Sequence, residues 1–139
     1  VEIDVQVEKV WDALTDPIHW PKWFPGLETV SNVSSVAEGG RFDWTDKDRT
    51  GYGKIVKLEQ NKRLEILTVC GDDKDSHVFT LRPSGGFFGL NDDECKIKYV
   101  YDTLAGGGIL GNFILGGNPV DALRVKNALN QFRRLVESL

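Results

Sequence analysis

Two histidines, three tyrosines and four tryptophans hold most of the chemistry open to this chain. His77 falls on a strand pattern, and the period-two alternation puts it on the same side as Phe79 and Leu81. Tyr99 and Tyr101 share a face with Ile97 and Cys95, and Phe42 shares one with Trp44. Simple alternation places Tyr52 beside Val56 and Leu58. Trp44, Tyr52, His77, Tyr99 and Tyr101 each combine an apolar body with a hydrogen-bonding tip, which suits an apolar ligand carrying a few oxygens. For any one of them the plainer assignment is a core residue whose tip reaches water or backbone. As a set beneath a covering helix they are expected to line a cavity.

Catalysis would fall to His77 as an acid or base near neutral pH, with Tyr99 or Tyr101 donating to an enolate. No Ser–His–Asp order, paired carboxylates or nucleophile elbow accompanies them, so a hydrogen-bonded structural histidine is the stronger reading. His19, in "HWPKW", is read as packing at a cavity mouth. Arg124 falls by spacing among the inward residues of the last helix, where it would pair with a ligand carboxylate or snorkel to the surface. Asn91 to Glu94 lack the spacing and glycine of a calcium loop, and Cys70 and Cys95 have no metal-ligand spacing. No metal site and no cofactor are expected.

The elements that must position these residues follow from periodicity. "VEIDV" alternates as a half-buried strand. Val7, Val10, Trp11 and Leu14 recur at helical spacing up to Pro17, and a proline-broken turn follows, ending at Pro25-Gly26. Strands are expected at Leu27–Val33, Gly40–Thr45, Gly51–Gln60, Leu64–Cys70, His77–Arg82 and Glu94–Thr103, joined by short loops rich in Gly, Asp, Asn and Lys. That order describes an antiparallel meander. Asn118 caps and Pro119 opens a long final helix, with Leu123, Ala128, Leu129, Phe132, Leu135 and Val136 on its apolar face. The result is an α+β domain over residues 1–139: a curved antiparallel sheet of about seven strands around a long C-terminal helix, with one or two short helices after the first strand.

Six of the fifteen glycines crowd into "AGGGILGNFILGGNP", residues 105–119. Gly106, Gly108 and Gly111 spell the dinucleotide fingerprint, yet no second parallel strand follows to carry the ribose-binding acid. The apolar run is too short to span a bilayer, which takes about 20 residues. Ile109, Leu110 and Phe113 remain candidates for transient membrane or protein contact. The expected role is a pliable apolar segment at the cavity edge, with Phe113 facing the ligand.

Composition limits the partners. A net charge of −4 with scattered Lys and Arg gives no nucleic-acid footprint. Two cysteines are too few for a disulfide framework, so a cytoplasmic setting is expected. The chain opens on Val1 and contains no Met, so its natural start is expected to lie upstream.

The stretches "VEKVWDALTDPIHWPKWFPG", "GGRFDW", "GYGKIVKLEQNKRLEI" and "LNQFRRLVESL" resemble the SRPBCC superfamily, the START and birch-pollen-allergen-like helix-grip fold. Within it the chain looks most like polyketide cyclase/dehydrase-type proteins, with the heat-shock-ATPase-activator-like branch as a near relative. The resemblance implies binding of a small hydrophobic molecule, of lipid, polyketide, aromatic or isoprenoid class, between sheet and helix. The expected lining is Trp44, Tyr52, His77, Phe79, Tyr99, Tyr101, Phe113 and Arg124. It leaves open a cyclase or dehydratase using His77, and a co-chaperone-like interaction module, because fold alone does not choose among them.

Overall fold

Alternation of apolar and polar residues dominates the middle of the chain, and the computed structural model turns it into one seven-stranded antiparallel sheet. Residues 1–84, 94–104 and 119–139 are described. The elements are β1 (Glu2–Ile3), α1 (Val7–Leu14), α2 (Trp20–Trp23), β2 (Thr29–Ser31), β3 (Arg41–Asp46), β4 (Arg49–Glu59), β5 (Arg63–Cys70), β6 (Asp73–Ser84), β7 (Glu94–Thr103) and α3 (Pro119–Ser138). The strand order is β1-β7-β6-β5-β4-β3-β2, a meander whose last strand returns to pair with the first. Curved around α3, this is the helix-grip arrangement.

The two ends of the sheet are shorter than the apolar pattern predicts, and the hairpins are longer. β1 keeps two residues and β2 three, since each is an edge with a partner on one side only. By contrast, β6 starts at Asp73, so most of "GDDKDS" belongs to the strand, and Gly71 at φ +60° carries the tight turn.

β4 contains the one break in alternation. The β4–β5 register shifts between Ile55 and Lys57, leaving Val56 as an extra residue in a bulge. Before it, Gly51, Gly53 and Ile55 face the core. After it, Leu58 does, opposite the buried Leu64.

The inner face of β3 explains the glycines of β4. Phe42 pairs with Gly53 and Trp44 with Gly51. A Cβ on Gly53 would lie 2.1 Å from Phe42 Cζ, and one on Gly51 would lie 2.5 Å from Trp44 Cζ2. Each ring therefore lies across the strand over its glycine partner, a cross-strand pairing of aromatic on glycine.

Within α3 burial is uneven. Ala128, Leu129, Phe132 and Val136 are buried against the sheet, with Phe132 fully enclosed. Between Ala122 and Asn127 the helix is largely exposed, and Leu123 is 58% exposed. α2 contacts α3, and its two tryptophans are buried in the core.

Candidate functional site

The inner face of β6 and β7 carries two polar chains side by side. In the first, His77 Nδ1 lies 2.6 Å from the Tyr99 hydroxyl and Nε2 lies 2.9 Å from Thr68 Oγ1. Both ring nitrogens are thus occupied. The imidazole is 1% exposed and packs edge-on to Phe24, with ring centroids 4.8 Å apart. Burial, assisted by the charge of Arg124, pushes its pKa down to about 3, so it is neutral at physiological pH. Tyr99 stacks on Phe79 at 4.3 Å, and Trp23 closes over Phe79 from above at 5.5 Å.

The second chain lies next to it, because His77 and Tyr101 are direct cross-strand partners. The Tyr101 hydroxyl donates to Asp75 Oδ2 at 3.0 Å, and Arg124 Nη1 donates to the same hydroxyl at 3.3 Å. The Arg124 guanidinium also sits 5.7 Å from the Tyr101 ring centroid. Burial, then the neighbouring Asp75 charge, pushes the Tyr101 pKa up to about 12. Burial likewise raises that of Asp75, against hydrogen bonds from Tyr101 and Thr103 and the charge of Arg124. Arg124 itself is exposed at the start of α3, and among the described residues no carboxylate lies within ion-pair distance of it.

Space opens beside this second chain. A cleft of about 550 Å³ runs between α2 and the loop after it, the β3–β4 turn and the exposed half of α3. Trp23, Phe24, Leu27 and Ala128 give it apolar walls, and Leu123 and Arg124 stand over it. Glu28 and Asp46 lie on the sheet side, where Glu28 accepts the Lys47 backbone N–H at 2.7 Å. Trp23 is 2% exposed, and its buried Nε1–H has no hydrogen-bond partner among the described residues.

The structure brings together only part of the expected lining. His77, Phe79, Tyr99 and Tyr101 meet in the interior, and Arg124 reaches Tyr101 from the cleft. Trp44 is buried, but its indole N–H is taken by the Tyr52 carbonyl oxygen at 2.9 Å. Tyr52 points the other way. It is 38% exposed on the outer face, under the Arg41 guanidinium at 4.4 Å. Its expected neighbour Leu58 is separated from it by the bulge at Val56, which reverses the alternation. Phe113, Ile109, Leu110 and the glycine-rich stretch from 105 to 118 lie outside the described residues. Trp23 and Phe24 are the wall residues that the strand patterns do not flag. Their signal is the aromatic spacing Trp20, Trp23, Phe24 on one helical turn.

Among the described residues no group of three metal-ligating side chains is found. None of the described helices is long and apolar enough to cross a membrane.

Comparison with known proteins agrees with this fold. A conserved protein from Geobacillus kaustophilus superposes with a TM-score of 0.67 at 19% identity, over 99% of this chain and 92% of that one. A norcoclaurine synthase point mutant from Thalictrum flavum, in complex with a transition-state analogue, gives 0.66 at 14% identity, over 99% and 91%. CalU16 from Micromonospora echinospora gives 0.60 at 20% identity, over 99% and 78%. At such identities these likenesses establish the fold alone. No curated protein matches the chain in sequence. The family model that matches, over residues 4–99, is that of the activator branch, which the sequence words had suggested as a near relative of the cyclase type. The chain belongs to the Activator of Hsp90 ATPase homolog 1-like family, within the SRPBCC superfamily.

Proposed function

We propose that this protein binds a small hydrophobic molecule in the cleft between α2, the β3–β4 turn and the first half of α3. The observation that carries the reading is the cleft itself: about 550 Å³, with buried aromatic walls, beneath a helix segment that leaves Leu123 exposed. Ligand sites commonly have this size and this mix of apolar wall and few polar groups. Lipid, polyketide, aromatic and isoprenoid molecules all suit it. The two unpaired thiols, Cys70 and Cys95, accord with a cytoplasmic setting.

A cyclase or dehydratase using His77 gains little support. The imidazole is enclosed, both nitrogens are engaged and its basicity is low. The family match supports a second reading, a co-chaperone-like module acting on Hsp90. Native mass spectrometry of the purified protein tests the first reading by detecting a co-purified small molecule. A screen of apolar compounds that leaves the Trp23 and Ala128 resonances unmoved would overturn it. Stimulation of the Hsp90 ATPase by the ligand-free protein would favour the second.

A further inference from the structure

The outer face of the sheet carries an apolar stripe fringed by lysines. We infer that it docks an acidic polypeptide segment bearing apolar side chains, with its carboxylates on Lys54, Lys74 and Lys98 and its apolar groups on Leu67, Val78 and Val100. The inference goes beyond the binding reading above and does not depend on it.

A sheet with one solvated face ordinarily turns polar residues outward. Here Tyr52 and Val69 are cross-strand partners, Leu67 follows on β5, and Val78 and Val100 are partners on β6 and β7. All five alternate with interior residues, Gly53, Ile66, Thr68, His77 and Tyr99 among them, and so face outward. Val69 is 5% exposed yet lies outside the core cluster, so this outer group covers it. Val100 is 38% exposed. α1, α2 and α3 all pack into the interior cluster, and no described helix lies over the stripe. A single exposed valine is ordinary, but a contiguous apolar set across four strands marks an interaction surface.

The fringe supplies the sign. Lys54 is the cross-strand partner of Leu67 and Lys74 that of Val69, and Lys98 stands two residues from Val100 on β7. All three are exposed, and among the described residues no carboxylate lies within ion-pair distance of them. Of the carboxylates beside the stripe, Glu65 is held by Arg63 at 3.0 Å and Asp43 accepts from Asn32 at 2.8 Å, which leaves Asp102. The fringe is thus basic on a chain whose net charge is −4. A partner that fits brings anions and apolar groups on one side. A phosphate backbone has no apolar groups for the stripe. An element that enters a membrane interface needs its apolar side chains outermost, whereas here the lysine ammoniums reach beyond the valine methyls. An acidic polypeptide meets both demands. From corner to corner the stripe measures about 20 Å, which matches about 13 residues of an amphipathic helix.

The test uses fluorescence anisotropy with three labelled peptides of about 14 residues. The first carries Leu at amphipathic helical spacing and Glu elsewhere; the second replaces Glu by Lys; the third replaces Leu by Ser. The Glu–Leu peptide is expected to bind about tenfold more tightly than either of the others, and to weaken about tenfold between roughly 50 and 300 mM salt. Lys74→Glu together with Lys98→Glu should weaken it about tenfold, and Val100→Ser about threefold. These side chains are exposed, so the variants should keep nearly the unaltered melting temperature. Leu123→Ala, at the cleft, should leave the affinity unchanged. No binding of the Glu–Leu peptide, equal binding of the Lys–Leu peptide, or an affinity that survives the double charge reversal overturns the inference. So does a loss with Leu123→Ala, which would put the peptide in the cleft. Phosphatidylserine vesicles that bind through Lys98 where the Glu–Leu peptide does not would make a lipid surface the occupant. A sedimenting dimer broken by the double variant would make it a second copy, and either result overturns the inference. Small-molecule binding in the cleft is decided separately, by the mass spectrometry above.

Discussion

Thr68–His77–Tyr99 and Asp75–Tyr101–Arg124 are each built on a β6–β7 pair, His77 with Tyr99 and Asp75 with Tyr101, extended by a residue of β5 in the first and of α3 in the second, and they have opposite fates. The first is sealed under Phe24 and Phe79, with its imidazole neutral and fully engaged. The second ends in an exposed guanidinium at the edge of a cleft. What separates them is cover. α2 and the buried half of α3 close over one, and the exposed half of α3 stands beside the other. The sealed chain therefore contributes to stability and a unique interior, and the open chain borders the cleft.

The sharpest way to break this contrast is along α3. Phe132→Ala should cost about 4 kcal/mol in urea unfolding, as large core truncations do. Leu123→Ala on the same helix should stay within about 0.5 kcal/mol. Similar costs at both positions would remove the distinction between the halves.

Next comes acid. His77 is held at about pKa 3 against 6.5 when unfolded, so between those values the unfolded chain binds the extra proton. Stability should thus fall as pH drops from about 6.5 toward 3, by up to ~1.4 kcal/mol per pH unit from this group. Asp75 works in the opposite sense: its raised pKa favours the folded state as pH falls through the carboxylate range. Urea midpoints across this range should be flatter for His77→Gln. An unchanged slope would mean that the imidazole is not sealed.

A smaller effect separates the two phenols. Tyr99→Phe leaves the buried His77 Nδ1 without its partner and should cost about 1–2 kcal/mol, whereas Tyr101→Phe releases only Asp75 and Arg124, which water can reach, and should cost about 0.5–1 kcal/mol. The smallest is Arg124→Gln, which should leave the melting temperature nearly unchanged, as expected for an exposed side chain. A large loss there would make Arg124 a structural strut rather than a ligand group.

Most of the architecture is legible in the chain. Alternation marks the inner faces of β3, β5, β6 and β7, and the Asn118-Pro119 start marks α3. Tyr52 is misplaced because a bulge leaves no mark in an alternating pattern, and Val56 looks like any other strand residue. Trp44 has the composition of a ligand group, yet its indole N–H finds a backbone carbonyl that only the β3–β4 register can supply. Trp23 and Phe24 escape notice because a proline-broken four-residue helix has too few residues to show a periodic face. Which of two polar chains meets solvent depends on how far α3 extends over the sheet, and no local pattern encodes that.

The glycines opposite Phe42 and Trp44 have a further consequence, for the order in which pairing errors are rejected. Sliding β3 by two residues would press Phe42 onto the Ile55 side chain in one direction and bring Trp44 opposite Arg49 in the other. Only one alignment lays both rings over bare backbone. The hairpin can thus discard a wrong alignment through its own sterics, before α3, which follows it by about 60 residues in sequence, is available to judge it.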